Sequence, residues 1–146
     1  MSFTTAGLFV AEPPSHYLVR PPLVLDCSTL AGLIFEEDWQ AQALQRIEGC
    51  SLKAPHLLQV EVVSVALKKH RRGGADIALR GLSMYASMDI ELFEVDAIDV
   101  FDLAKRYQLS AYDAAYLWLA AELTCPLATF DEKLATAAQA HLSSLP

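Results

Sequence analysis

At 146 residues and 16.0 kDa the chain has room for one domain but not for two independent cores. Its 53% hydrophobic content excludes a disordered tail. No uncharged apolar run reaches the roughly 18 residues of a membrane span, and acidic Glu12 sits where a secretion signal would be basic, so a soluble, cytoplasmic protein is expected. Eleven Lys and Arg against 18 Asp and Glu give a net charge of −7, which disfavours simple electrostatic capture of nucleic acid unless metal ions or a local basic patch assist. The three cysteines, Cys27, Cys50 and Cys125, are widely separated and lack CxxC spacing, so neither a disulfide framework nor a structural zinc site is expected.

Residues 1–22 hold four of the seven prolines and no periodicity, which predicts an extended N-terminal arm ahead of a domain spanning 23–146. Leu23 to Leu25 read as a short buried strand, and Asp26 to Thr29 as the start of a helix through the apolar run Leu30 to Phe35. A helix from Trp39 to Glu48 ends at Gly49, and Pro55 opens the most apolar helix, Leu57 to Lys69, which Gly73 and Gly74 terminate. A weaker helix covers Ala75 to Ala86, and a strand covers Ile90 to Val95. Helices follow at Ala97 to Tyr107 and Ala111 to Leu123, then a strand at Cys125 to Phe130 and a last helix from Asp131 to His141. Strands separated by helices rather than tight turns imply crossovers and a parallel sheet covered on both faces, an α/β fold.

Ligands in such sheets collect beyond the carboxyl ends of the strands. Two acids fall there: Asp26 after LVL and Asp131 after PLATF. Both also directly precede helices, where Asp is a favoured N-cap, so cap and ligand readings stand side by side. Asp113 forms an S-x-x-D capping box with Ser110 ahead of an apolar helix, and the cap alone accounts for it. Glu61 is explained worst by a structural role. It lies among aliphatic residues in HLLQVEVVSVALKK, so it must meet a cation such as Lys68 or an Arg, a hydrogen-bond donor, or a metal.

The blocks LVLDCSTLAGLIFEE, APHLLQVEVVSVALKK, LSAYDAAYLWLAAEL and CPLATFDEKL resemble, in their order and spacing, the PIN-domain nucleases, and in particular the VapC-type toxins of prokaryotic toxin–antitoxin pairs. The resemblance runs from about Leu23 to about Ala138. It implies a PIN-like three-layer α/β/α sandwich on a central parallel sheet, with the acidic quartet of the family on Asp26, Glu61, Asp113 and Asp131 and supporting hydroxyls on Ser28 and Thr129. Cys27 departs from the Thr or Ser usual after the first Asp. The implied activity is endoribonuclease cleavage leaving a 3′-hydroxyl and a 5′-phosphate, by a homodimeric toxin whose antitoxin covers the acidic pocket.

Phosphodiester hydrolysis requires charge stabilisation on the phosphoryl oxygens and a hydroxide at neutral pH, and divalent metals supply both. A ligand set of carboxylates alone suits Mg²⁺ or Mn²⁺ rather than zinc. Four of the seven net negative charges belong to the quartet, leaving −3 for the rest, so two such ions would leave RNA facing a nearly neutral surface. Lys68, Lys69, His70, Arg71 and Arg72 form the only dense basic run, readable either as an RNA-backbone contact or as a solvated helix end complementing its dipole. The histidines share no spacing and read as surface or packing residues. Two other functions fit the same blocks: a housekeeping RNA- or DNA-processing nuclease, and a binding module whose acids serve only as caps. A haloacid-dehalogenase-type phosphatase would need a second Asp where Ser28 stands, and a phosphoryl receiver would need paired acids near the first strand.

Overall fold

The computed structural model describes Phe9, Ala11 and residues 20–146. Most of the expected proline-rich arm therefore lies outside the described residues. Of that stretch, Pro22 opens the first strand.

Among the described residues the chain runs β1 (Pro22–Leu25), α1 (Cys27–Ile34), α2 (Gln40–Ile47), β2 (Ser51–Pro55), α3 (Leu57–Arg71), α4 (Ala75–Ser87), β3 (Ile90–Phe93), α5 (Ala97–Tyr107), α6 (Ala111–Glu122), β4 (Leu127–Ala128) and α7 (Glu132–Ser143). All pairings in the sheet are parallel and the strand order is β3-β2-β1-β4. The chain first steps outward from β1 to β3 and then returns to the far side of β1. The order reverses at β1, and the crevice beyond its carboxyl end is where such sheets bind ligands.

Leu23, Val24 and Leu25 are all buried, as expected of a central parallel strand covered on both faces. Helices α1 to α4 pack on one another, while α6 packs against β1, β2 and β4 and also against α5 and α7. This is the α/β/α layering expected above. On α3, Leu58, Val62 and Ala66 recur every four residues and point into the core, whereas Val60, Val63 and Leu67 are exposed. The helix stops at Gly73, whose φ of 86° is left-handed and open to glycine at little cost.

Strand β2 is absent from the expectations above. Ser51–Pro55 carries a lysine at its centre and a proline at its end, and both argue against a sheet interior. The fold accommodates both. Lys53 lies opposite Glu91 of β3 and donates to it at 2.5 Å, and Pro55 is the last residue of the strand. Strand β4 is shorter than the Cys125 to Phe130 expectation. Thr129 and Phe130 instead form a turn held by side-chain hydroxyls, and the N–H of Cys125 caps α6 by donating to the Ala120 carbonyl.

No helix among the described residues is long and apolar enough to cross a membrane.

Gly81 marks the closest approach of α4 to α1. A Cβ there would lie 2.4 Å from the buried Phe35 ring and 2.9 Å from the Ile34 carbonyl. On an open helix face Gly→Ala would stabilise by about 1 kcal/mol. Here Gly81→Ala should instead destabilise by about 1–3 kcal/mol, the cost of overpacking, as read by chemical denaturation. A gain in stability would show that α1 and α4 are not in close contact.

Candidate active site

The site is built on Asp26, the residue that follows β1. It caps α1, and its side chain is only 4% exposed. Such a burial is tolerable because donors surround both oxygens. Oδ1 accepts from the Ser28 hydroxyl at 2.7 Å and the Thr29 N–H at 3.1 Å, and Oδ2 accepts from the Thr129 hydroxyl at 2.5 Å. The Thr29 hydroxyl donates to the Ala128 carbonyl at 2.9 Å and lies 3.2 Å from the same Oδ1.

Both outer hydroxyls also accept. The Phe130 N–H donates to Ser28 Oγ and the Asp131 N–H to Thr129 Oγ1, each at 2.9 Å. One carboxylate thus fastens the start of α1 to the turn between β4 and α7. Trp39 closes the same corner, donating from Nε1 to the Ser28 carbonyl at 3.2 Å, with its ring centroid 6.0 Å from that of Phe130. Phe130 remains 41% exposed.

Asp131 caps α7, accepting the Leu134 N–H on Oδ1 at 2.8 Å. Asp113 stands in the first turn of α6, and its N–H donates to the capping Ser110 hydroxyl at 3.1 Å. Glu61 is half-buried on the middle of α3. Its partner among the described residues is the hydroxyl of buried Tyr116, which donates to Oε1 at 2.6 Å, rather than Lys68 or an arginine.

Asp26 and Asp113 bear on Glu61, and Asp26 and Asp131 bear on Asp113. Burial pushes the Glu61 carboxyl up, the Tyr116 hydrogen bond opposes this, and the charges of Asp26 and Asp113 add to the rise. Asp113 is also raised by burial, then by Asp131 and Asp26, against lowering by Ser110 and Lys133. Beside them burial pushes the Cys27 thiol up to about 12, with Glu61 and Asp26 adding to it, so this cysteine stays a neutral thiol and no nucleophile. Among the described residues no group of three or more His, Cys, Asp or Glu closes tightly enough to grip an ion unaided. The donor set is oxygen only, which suits a hard divalent cation.

The basic run occupies the last turn of α3. Lys69 is engaged in an ion pair with Glu37, while Lys68, Arg71 and Arg72 are exposed. Lys68 is near enough to the acids to lower the Cys27 thiol.

Thr29, Tyr116 and Trp39 belong to this constellation and were not singled out in the sequence. Thr29 had a local signal, the third helical position after an Asp cap. Tyr116 and Trp39 had none tying them to their partners.

A family model described as the PIN domain matches residues 23–140. The chain belongs to the PIN-domain family. Within it, the VapC ribonuclease Mb0985 of Mycobacterium bovis is 32% identical over 121 residues, spanning 82% of this chain and 93% of that protein. Ribonuclease VapC3 of Pyrobaculum aerophilum is 30% identical over 122 residues, 77% of this chain and 92% of the other. The crystal structure of PAE2754 from Pyrobaculum aerophilum superposes with a TM-score of 0.63 at 23% identity, covering 84% of this chain and 93% of its own. VapC20 of Mycobacterium tuberculosis, a Sarcin-Ricin loop cleaving toxin, superposes with a TM-score of 0.58 at 16% identity, covering 79% and 94%. Both likenesses show the PIN fold.

The electrostatics of this PIN domain predict a pH signature. Glu61 and Asp113, raised from ordinary values of 4.5 and 3.8, hold their protons more tightly folded than unfolded. Their contribution therefore favours folding at low pH and is lost as pH climbs from those values through the raised ones. His141, lowered from 6.5 by burial and by Arg106, works oppositely, destabilising the fold as pH falls below 6.5. Comparison with a variant isolates the acid. In chelator, Asp113→Asn should melt close to wild type at pH 3.5 and above it at pH 7. Parallel melting curves across that range would place Asp113 outside the field of the other acids.

Proposed function

We propose that this PIN domain is a metal-dependent endoribonuclease and the toxin of a type II toxin–antitoxin pair, acting in the cytoplasm through a catalytic unit of residues 23–146. The reading is supported by one observation: Asp26 and Asp113 bear electrostatically on Glu61, and Asp26 and Asp131 on Asp113, although the four acids come from separate parts of the chain. The curated relatives of about 30% identity carry the name ribonuclease, which supports RNA as the substrate. The antitoxin partner and the homodimer follow from the resemblance to VapC-type toxins.

Asp26, Glu61, Asp113 and Asp131 would hold the ion, Mg²⁺ or Mn²⁺. When bound, a divalent cation supplies charge neutralisation at the phosphoryl group and an activated water. Asp26 contributes a carboxylate that cannot swing, because three donors hold it. Ser28 and Thr129 each spend their proton on Asp26 and accept a backbone N–H, so they orient the carboxylate and cannot also donate to substrate in this arrangement. Glu61 and Asp113, raised first by burial and then by neighbouring carboxylates, are the two acids whose charged forms a bound cation would favour. Lys68, Arg71 and Arg72 are offered as phosphate contacts. Lys69, already paired with Glu37, serves mainly to tie α3 to the segment after α1.

Cleavage of a fluorescent RNA should require Mg²⁺ or Mn²⁺ and stop with chelator. Asp26→Asn, Glu61→Gln and Asp113→Asn should each lose activity by orders of magnitude while remaining folded. Wild-type turnover in any one of them removes that residue from the site, and chelator-resistant cleavage defeats the mechanism. Saturating Mg²⁺ at about 100 times its dissociation constant should stabilise wild type by roughly 2.7 kcal/mol, a gain Asp113→Asn should largely lack. Equal Mg²⁺ shifts in melting temperature would leave Asp113 a helix cap only.

Replacing Lys68, Arg71 and Arg72 with Ala should lower the salt slope of RNA binding by roughly 0.7 for each phosphate no longer neutralised. Lys69→Ala should alter stability more than the slope. An unchanged slope in the triple variant assigns the run to a solvated helix end.

A further inference from the structure

We infer that Tyr116 is a positioning residue of the site, and that its phenol sets the orientation in which Glu61 presents its carboxylate to a divalent cation. This inference rests on the reading of the four acids as a metal site and adds a residue to it.

Three observations carry it. The Tyr116 hydroxyl donates to Glu61 Oε1 at 2.6 Å, within the short range typical of O–H···O⁻ bonds. Tyr116 is itself only 1% exposed, so its ring is fixed by packing and its hydroxyl can aim in few directions. It also stands three residues after Asp113 on α6, hence on the same face of that helix one turn deeper. One rigid helix therefore both carries Asp113 and grips Glu61 of α3.

The grip matters because Glu61 is the acid with the longest free side chain in the quartet. Half-exposed and flanked by like charges, an untethered glutamate would turn away from Asp26 and Asp113 toward solvent. The phenol holds it inward by one oxygen. A carboxylate has about four lone-pair positions, so Oε2 remains free to ligate after Oε1 has accepted the bond. A buried tyrosine merely satisfying its own hydroxyl would show the same hydrogen bond, but its removal would leave metal affinity unchanged.

The test is a double-mutant cycle of Tyr116→Phe and Glu61→Gln in the full-length chain, read by Mn²⁺ titration and by the steady-state kinetics of RNA cleavage. Tyr116→Phe keeps the ring in place. It should weaken Mn²⁺ binding about 10-fold or more, as loss of a residue orienting a metal ligand does, and lower kcat with KM little changed. In the Glu61→Gln background the same substitution should change Mn²⁺ affinity less than twofold. Wild-type Mn²⁺ affinity in Tyr116→Phe, together with a large loss in Glu61→Gln, overturns the positioning role and leaves the acidic site standing. Independent, additive losses overturn it as well. Wild-type affinity in Glu61→Gln itself refutes the metal-site reading on which the inference depends. If Tyr116→Phe fails to fold, Glu61→Asp gives a second route, since it keeps the charge but withdraws it from the phenol. Undiminished Mn²⁺ affinity in that variant also overturns the proposal.

Discussion

The architecture of the site depends on a buried carboxylate that is solvated by the protein itself. Asp26 sits buried at the end of the central strand, and the fold provides the Ser28 and Thr129 hydroxyls and the Thr29 N–H to meet its charge. Those donors come from the start of α1 and from the turn after β4, which are separated by about a hundred residues of chain. Satisfying one charge therefore fixes the junction between the first and last strands of the sheet in chain order. The two hydroxyls in turn accept backbone N–H groups of Phe130 and Asp131, so the same bonds set where α7 begins and where its capping acid stands.

Capping and ligation are compatible roles for these acids. Asp26 and Asp131 each cap a helix, and Asp113 lies within a cap, yet a cap occupies at most part of a carboxylate's acceptor capacity. A helix N-terminus also favours negative charge. Three helices starting at the carboxyl ends of strands, or beside them, thus help concentrate anions that would otherwise repel one another apart. Glu61 has no such support, being mid-helix, and its hydrogen bond comes from a tyrosine on a different helix.

The strain that remains is electrostatic. Burial first, and the neighbouring carboxylates second, raise the carboxyls of Glu61 and Asp113 and the thiol of Cys27. Lys68 and Lys133 reach the edge of this field without pairing into it. Unbalanced charge of this kind is the setting in which the proposed cation would act.

Much of this was legible in the linear chain. Apolar periodicity located the helices, the βα junctions located Asp26 and Asp131, and an acid in an aliphatic helix marked Glu61, because each signal is local and a charge among aliphatic residues demands a reason. Strand β2 escaped because its lysine and proline are tolerated only by what lies opposite: Glu91 across the sheet, and the end of the ladder at Pro55. Tyr116 escaped because its partner is 55 residues away, and composition gives a buried tyrosine no direction in which to donate. By itself the sequence determined which residues could carry charge chemistry and on which elements they stand. Only the tertiary structure decided that Asp26 and Asp113 bear on Glu61 while Asp26 and Asp131 bear on Asp113, that Lys69 is taken by Glu37, and that a phenol rather than a cation meets Glu61, because these are encounters between distant segments that only packing brings together.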